Sequence, residues 1–318
     1  MILDFILLAI GLLITIAGAN WLIDGSISLA RRYHVSELVI GLTIVAIGTS
    51  APELVVTVMA SFDGSTDLAV SNILGSNIAN ILLILGLSSV VFPLTIKTST
   101  KWKEIPFSLL AVVVLLVLVL DSRLNQHGMP SQISRADGII LLLFLAIFFV
   151  YSFEMMRQNT SVGDLTPKYS LSKSILFIFL GVLALFGGGK TLVYGATEFA
   201  QKAGISSRII GLTIVAVGTS LPELITSIVA AFKKNSDIAV GNVVGSNIFN
   251  IFLVLGISAT IHPIDFPNSS YFDIATTIFA TLILFTSAIF FGTNIIRRIE
   301  GIFFLLLYGV YLSLLIIL

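Results

Sequence analysis

The sequence predicts an all-α polytopic membrane protein of ten transmembrane helices, arranged as two inverted five-helix repeats. Three observations predict it. Apolar runs of membrane-spanning length recur along the whole chain, and 57% of its 318 residues are hydrophobic against 11% charged. That balance excludes an ordinary soluble domain. One phrase occurs twice: residues 41–54 read Gly-Leu-Thr-Ile-Val-Ala-Ile-Gly-Thr-Ser-Ala-Pro-Glu-Leu, and residues 211–224 repeat twelve of the fourteen positions at an offset of 170. The register holds downstream, where residues 67–80 (DLAVSNILGSNIAN) and 237–250 (DIAVGNVVGSNIFN) agree at nine of fourteen positions. Self-similarity at a fixed offset marks an internal duplication.

Taken in order, the spans are expected at 2–23, 36–61, 67–92, 104–120, 137–153, 174–200, 206–232, 237–261, 271–292 and 299–317. They follow apolar runs of roughly 17–25 residues, and the longer ones must tilt or break. The first run follows Asp4 rather than a basic segment, so it reads as a spanning helix and not as a signal peptide. The second and seventh spans carry the duplicated phrase, and the third and eighth carry the downstream block. Between the fifth and sixth lies a polar connection with Gly163 and Pro167, which reads as a linker. The expected division is therefore 1–160 for the first five-helix half, 161–173 for a cytoplasmic linker and 174–318 for the second half.

Lys and Arg in alternate loops set the orientation. One side holds Arg31, Arg32, Lys97, Lys101, Lys103, Arg157, Lys168, Lys173, Lys233, Lys234, Arg297 and Arg298; the other holds Arg123, Arg135, Lys202 and Arg208, with Lys190 inside the sixth span. Twelve against five places the first group in the cytoplasm of a plasma (inner) membrane, with both termini outside. Trp21 and Trp102 then fall near cytoplasmic borders, where indole sits at the headgroups. Five spans separate the two copies, an odd number, so the second copy crosses in the opposite sense. Inverted repeats of this kind are built for alternating access, each half closing one side of a shared site.

Zero net charge makes nucleic acid an unsuitable partner, and the lipid bilayer is the expected surroundings. The absence of cysteine removes disulfide, zinc-thiolate and thiol-nucleophile chemistry. His34, His127 and His262 all fall in connections. Neither a histidine proton relay nor Ser–His catalysis is supported, and neither an enzyme nor a resident cofactor is expected.

Each copy of the phrase sets a proline and a glutamate inside an apolar run. Proline withholds a backbone donor and crowds the carbonyl one turn back, so carbonyls near Ala46 to Thr49 and Ala216 to Thr219 are expected to be freed. An acidic side chain at the centre of a membrane helix costs roughly 3 kcal/mol, which marks Glu53 and Glu223 as functional. Carbonyls, hydroxyls and carboxylates together are hard oxygen ligands for a hard cation, and paired broken helices near the midplane are where transporters bind coupling ions. Two glutamates balance one divalent ion, with sodium competing for the same oxygens. Thr49, Ser50, Thr219 and Ser220 lie within one turn of a glutamate and can add oxygen, whereas Ala46 and Ala216 offer only main-chain carbonyls. In the downstream block Asn72, Ser76 and Asn80 recur every four residues, as do Asn242, Ser246 and Asn250, so each trio lines one helix face. Ser76, Ser246, Asn80 and Asn250 read as site residues. Asn72, Asn242, Asn77 and Asn247 read as amide glue between helices, and Gly75 and Gly245 as points of close backbone approach. Lys190 reads as a snorkelling side chain, and Asp24 and Glu198 as interfacial charges.

Gly-Thr-Ser-x-Pro-Glu followed by Gly-Ser-Asn-Ile-x-Asn, twice in inverted halves, resembles the two alpha-repeats of the cation/calcium exchanger superfamily, and in particular its microbial sodium/calcium antiporters. The resemblance covers the whole ten-helix chain. It implies exchange of calcium for sodium by alternating access, with gating by sliding of spans one and six across the remaining bundle. It also implies that the ions contact Glu53 and Glu223, Thr49, Ser50, Thr219 and Ser220, the carbonyls of Ala46 and Ala216, and Ser76, Ser246, Asn80 and Asn250. Some relatives, the potassium-dependent exchangers among them, carry aspartate where this chain has Asn250. The neutral amide at both Asn80 and Asn250 therefore implies transport without potassium and no proton binding at this position. The proton-coupled branch has Gly-Asn in place of Gly-Thr-Ser. Antiport of protons or of another divalent ion, and a cation channel, are the alternative readings, and a monomer is the expected functional unit.

Overall fold

The computed structural model describes residues 2–124, 131–158, 166–204, 216–268, 270–290 and 294–317. The apolar runs wind into helices because a backbone surrounded by hydrocarbon must satisfy its donors and acceptors within its own segment. Eight helices are long and apolar enough to cross a bilayer. They are α1 (Ile2–Arg32), α4 (Thr66–Val91), α5 (Thr100–Leu120), α6 (Arg135–Gln158), α7 (Leu171–Lys202), α9 (Ser236–Ile261), α10 (Ser270–Phe290) and α11 (Arg298–Ile317). A ninth candidate is broken: α2 (Glu37–Thr49) and α3 (Ala51–Phe62) meet at Ser50 with a bend of 45°. Helix α8 (Leu221–Phe232) has 12 residues, about 18 Å of rise against a hydrocarbon core of about 30 Å. A single turn, Ala216–Gly218, precedes it. The described residues thus hold eight spans, or nine with the bent pair, against the ten expected. Residues 205–215, the start of the expected seventh span with Arg208, lie outside them, as do Gly163 and His127.

Helix α1 continues nine residues past its expected end at 23. Hydropathy falls there, but Asp24, Arg31 and Arg32 find polar partners, so polarity does not unwind the helix. His34, with φ of 53°, ends it, and Val35 N–H closes back on Ala30 at 2.9 Å.

Helices α4 and α9 form the centre. Of their apolar windows 78% and 94% is buried, against 22–39% for the other six long helices. Those six turn large apolar side chains outward, among them Leu13, Leu143, Phe179 and Leu306, as helices facing lipid do. Helices α1 and α7 pack along their whole length on a glycine seam. Gly11, Gly18 and Gly25 of α1 and Gly181, Gly188 and Gly195 of α7 recur every seven residues, and a Cβ on any of them would lie 2.5–2.8 Å from a backbone atom of the other helix. Two short antiparallel pairings tie distant connections together: Leu94–Thr95 with Ile295–Ile296, and Gln132–Ile133 with Ile264–Asp265.

Candidate functional site

The break between α2 and α3 positions the first glutamate. Glu53 lies in the first turn of α3 behind Pro52, and Glu223 lies in the first turn of α8 behind Pro222. Proline suits a first turn, where its missing donor would have no partner. A helix N-terminus also carries partial positive charge, which favours a carboxylate. Ser50 and Ser220 occupy the capping positions, but neither hydroxyl caps its own helix. Each crosses instead to the other copy. Ser50 Oγ donates to Glu223 Oε1 at 2.9 Å, and Ser220 Oγ lies 3.4 Å from Glu53 Oε1. Ser76 and Ser246 approach from within the same copy, at 3.5 Å from Glu53 Oε1 and 3.4 Å from Glu223 Oε1. Ser220 and Ser76 are also hydrogen-bonded to each other at 2.9 Å.

The threonines likewise reach across. Thr49 Oγ1 donates to Asn242 Oδ1 at 2.9 Å, and Thr219 Oγ1 donates to Asn72 Oδ1 at 3.1 Å. Asn242 in turn donates to Ser227 Oγ at 3.0 Å, and Asn72 to Thr57 Oγ1 at 3.2 Å. Asn80 Nδ2 donates to Asn247 Oδ1 at 2.9 Å, and Asn250 Nδ2 to Asn77 Oδ1 at 3.0 Å. Helices α4 and α9 each contain a wide π-turn, Asn80–Leu85 and Asn250–Leu255, that begins at the asparagine itself. An extra residue in the turn re-aims the side chains around it, and such turns concentrate at functional sites.

Two sequence expectations meet different outcomes in the two halves. The Ala46 carbonyl is not freed: Ser50 N–H donates to it at 2.9 Å, with Thr49 Oγ1 3.2 Å away. Pro52 withholds the donor that would have reached Gly48, so the gap falls two residues later than Ala46. The second copy breaks differently, with Ser220 N–H donating to Val217 at 3.1 Å; Ala216 opens the short turn before it. Gly245 does meet a close backbone, its Cβ position lying 2.6 Å from the Leu42 carbonyl oxygen, whereas no described atom lies within 4 Å of a Cβ at Gly75. Leu212, the counterpart of Leu42 in the second copy, is outside the described residues.

The buried side chains thus form three hydrogen-bonded groups: Glu53 with Ser76 and Ser220, Glu223 with Ser50 and Ser246, and Asn80 and Asn250 with Asn247 and Asn77. Both glutamates have no exposed surface, and among the described residues no basic side chain pairs with either. Glu53 Oε2, Glu223 Oε2, Asn80 Oδ1 and Asn250 Oδ1 are buried without a donor among the described residues. Buried acceptors are normally satisfied and buried charges normally paired. Four bare oxygens, two of them carboxylate, match what a dehydrated hard cation coordinates. No group of three or more acidic or histidine side chains gathers anywhere among the described residues, so any ion here would rely on two carboxylates with neutral oxygens.

The other charges lie apart from these groups. Asp24 bridges Lys168 at 3.0 Å and Lys233 at 2.5 Å, and Glu198 sits 3.5 Å from Lys202. Lys190 lines a largely apolar cavity of about 490 Å³ beside Pro52, Phe186, Tyr194 and Thr219. Its place near the middle of α7 differs from that of a residue at a helix end.

Comparison with known proteins gives a consistent picture. The chain matches the family described as sodium/calcium exchanger protein over residues 3–154 and 173–317. It is 39% identical over 273 residues to the inner membrane protein YrbG of Escherichia coli, covering 83% of this chain and 81% of that protein. It is 30% identical to the sodium/calcium exchanger MaX1 of Methanosarcina acetivorans, with 97% of each covered. A solved structure of the sodium-calcium exchanger NCX_Mj, soaked with 2.5 mM Na+ and 0.1 mM Ca2+, superposes with a TM-score of 0.81 at 30% identity, covering 98% of both chains.

Proposed function

The chain belongs to the sodium/calcium exchanger protein family, and from that premise we propose that it is a secondary antiporter exchanging calcium for sodium by alternating access, without potassium. The protein is an integral membrane protein of a transporter family rather than an enzyme family. The observation that carries the reading is the pair of buried glutamates, which have no basic partner among the described residues, together with four oxygens that lack donors there.

On this reading Glu53 and Glu223 bind the ion directly and their two charges balance one calcium. Ser50, Ser220, Ser76, Ser246, Thr49 and Thr219 supply hydroxyl oxygen and hold the carboxylates in place. Asn80 and Asn250 supply amide oxygen, and the carbonyls of Ala46 and Ala216 complete the set. The Ala46 carbonyl accepts from Ser50 N–H, and its second lone pair is open while the Thr49 hydroxyl donates to Asn242 rather than to it. Calcium and sodium compete for the same donors, so occupation by one displaces the other. No third carboxylate stands where Asn80 and Asn250 do, which is the basis for excluding potassium and proton binding there.

The proposed architecture is ten spans in two inverted halves, 1–160 and 174–318, joined by a cytoplasmic linker at 161–173, with both termini outside and a monomer as the unit. Reciprocity supports it: exchanging residues across the offset of 170 turns the Thr49–Asn242 bond into Thr219–Asn72, and the Asn80–Asn247 bond into Asn250–Asn77. Movement of α1 with α7 against the rest fits their shared glycine seam.

The test is calcium-45 uptake into sodium-loaded proteoliposomes, with Glu53→Gln and Glu223→Gln. Each substitution keeps the shape and removes one buried ion-binding charge, an effect of about 2–5 kcal/mol. Uptake should fall at least tenfold in either variant. Uptake that ignores both substitutions, or the sodium gradient, would end the proposal. Potassium, lithium and proton gradients in the same vesicles rank the alternatives: a potassium requirement refutes the potassium-independent form, and flux without counter-ion points to a channel.

A further inference from the structure

A carboxamide shows a cation two very different ends of nearly equal size: an oxygen that attracts it and an NH2 that repels it. Which end Asn80 and Asn250 leave free therefore decides whether they help or hinder cation binding. The network fixes that choice before any ion arrives. Asn77 Nδ2 donates to the main-chain oxygen of Asn247 at 3.3 Å, and Asn247 Nδ2 donates to the main-chain oxygen of Asn77 at 3.4 Å. A main-chain carbonyl only accepts, so the nitrogen ends of Asn77 and Asn247 are committed there and their Oδ1 atoms face the other way. Each Oδ1 in turn admits only a donor. Asn80 presents Nδ2 to Asn247 Oδ1 at 2.9 Å, and Asn250 presents Nδ2 to Asn77 Oδ1 at 3.0 Å. Oxygen is the end left over on Asn80 and on Asn250, and both of these oxygens are buried without a donor among the described residues. Flipping either amide would set oxygen against oxygen inside a dry core, the arrangement that buried polar groups avoid.

We propose that Asn77 and Asn247 are positioning residues of the exchange site: each locks the amide of the other half's asparagine so that it offers its oxygen, not its nitrogen, to the cation. Asn247 sets Asn80, and Asn77 sets Asn250. Neither contacts the ion. The inference rests on the reading of Asn80 and Asn250 as cation ligands. It differs from helix–helix glue in one respect: glue would act on the fold whatever stood at positions 80 and 250, whereas an orienting bond matters only to a group with two unlike ends.

That difference supplies the test. Aspartate has two equivalent oxygens, so Asn80→Asp or Asn250→Asp makes orientation immaterial at that position. Calcium affinity is measured as the KM of sodium-driven uptake and, independently, as the calcium concentration dependence of the rise in melting temperature in detergent. A background that binds without turnover therefore still reports. Asn247→Ala should weaken calcium about ten- to hundredfold, the range for a lost bond to a charged group. The loss should vanish when Asn247→Ala is placed in the Asn80→Asp background, and persist in the Asn250→Asp background. Asn77→Ala should give the mirror pattern, silenced by Asn250→Asp and not by Asn80→Asp. If an alanine variant does not fold, Asn247→Ser and Asn77→Ser, too short to hold both partners, are read the same way. A loss of equal size in all backgrounds, or no loss at all, would overturn the positioning role. If the parent protein takes up no calcium on a sodium gradient, the transport reading itself fails, and the two failures are distinct.

Discussion

Three consecutive glycines, Gly187, Gly188 and Gly189, allow the packing of α1 on α7 to be tested one methyl at a time. A Cβ at Gly188 would lie 2.8 Å from the Thr15 backbone nitrogen and 2.7 Å from Thr15 Oγ1, whereas at Gly187 and Gly189 no described atom lies within 4 Å. The Thr15 hydroxyl already donates to the Gly11 carbonyl at 2.7 Å and has little freedom to swing away. Restoring ordinary contact at 3.4 Å from the backbone would move the helices apart by about 0.6 Å at this point. The flanking seam contacts at Gly181 and Gly195 would loosen with it. Overpacking of this kind costs about 1–3 kcal/mol. Replacing glycine by alanine inside a helix returns up to about 1 kcal/mol, and that gain is common to all three positions. Gly188→Ala should therefore be less stable than Gly187→Ala or Gly189→Ala by about 1–3 kcal/mol, while the latter two match or exceed the parent. Melting of the purified protein in detergent, followed by size-exclusion chromatography, reads the order. If Gly188→Ala melts with its neighbours or above them, the seam does not hold the pair together as argued.

Two further outcomes follow from the hydrogen bonds and ion pairs. Thr49→Val removes the only side-chain donor to the buried Asn242 Oδ1 among the described residues, so it should lower stability by about 1–3 kcal/mol. Thr49→Ser, which keeps the donor, should cost much less, and Thr219→Val, at a partly buried bond, should cost less than Thr49→Val; thermal melts compare the three. Asp24 pairs with Lys168 and Lys233, whose side chains are 60% and 29% exposed. Asp24→Asn should therefore cost no more than about 1 kcal/mol, and the difference from the parent should disappear in melts at about 1 M salt.

Glu53 and Glu223 were legible from sequence because a carboxylate in an apolar run has no ordinary explanation, and the offset of 170 paired them. The four-residue spacing of Asn72, Ser76 and Asn80 was legible for the same reason, as periodicity maps directly onto a helix face. What periodicity does not carry is the partner across the interface. Asn77 lies one position beyond Ser76, and nothing in its own helix says that its nitrogen meets the Asn247 backbone. The π-turns at Asn80 and Asn250 left no signal either, because an extra residue in a turn changes geometry without changing hydropathy. The glycine seam was present in the spacing of Gly11, Gly18 and Gly25 but was not read from it, whereas the close approach expected at Gly245 is found. Seven-residue glycine spacing becomes a contact only once a second helix with matching spacing lies beside it. The end of α1 was misplaced because hydropathy marks where lipid stops, whereas the helix stops at the capping geometry of His34.

The electrostatics of the site bear on why exchange, rather than leakage, is the expected behaviour. Two carboxylates without basic partners among the described residues lie fully buried, and removing an ion from water costs several kcal/mol even after relaxation. On the proposed reading, an empty site is therefore costly to seal from both sides of the membrane, whereas a site holding calcium or sodium has that cost largely offset by coordination. A step that exposes the site to the opposite side passes through a sealed arrangement, so it is fast only when cations are aboard. Net return of the empty carrier is then the slow path, and calcium moving one way is tied to sodium moving the other. The crossed serines strengthen the coupling. Ser50 belongs to the first copy but bonds Glu223 Oε1 of the second, and Ser220 lies 3.4 Å from Glu53 Oε1, so on the proposed reading a shift of either glutamate on ion release is felt at a contact with the opposite half. A cation that draws Glu53 or Glu223 out of this geometry loosens the seal between the halves, and one that leaves it in place keeps the seal.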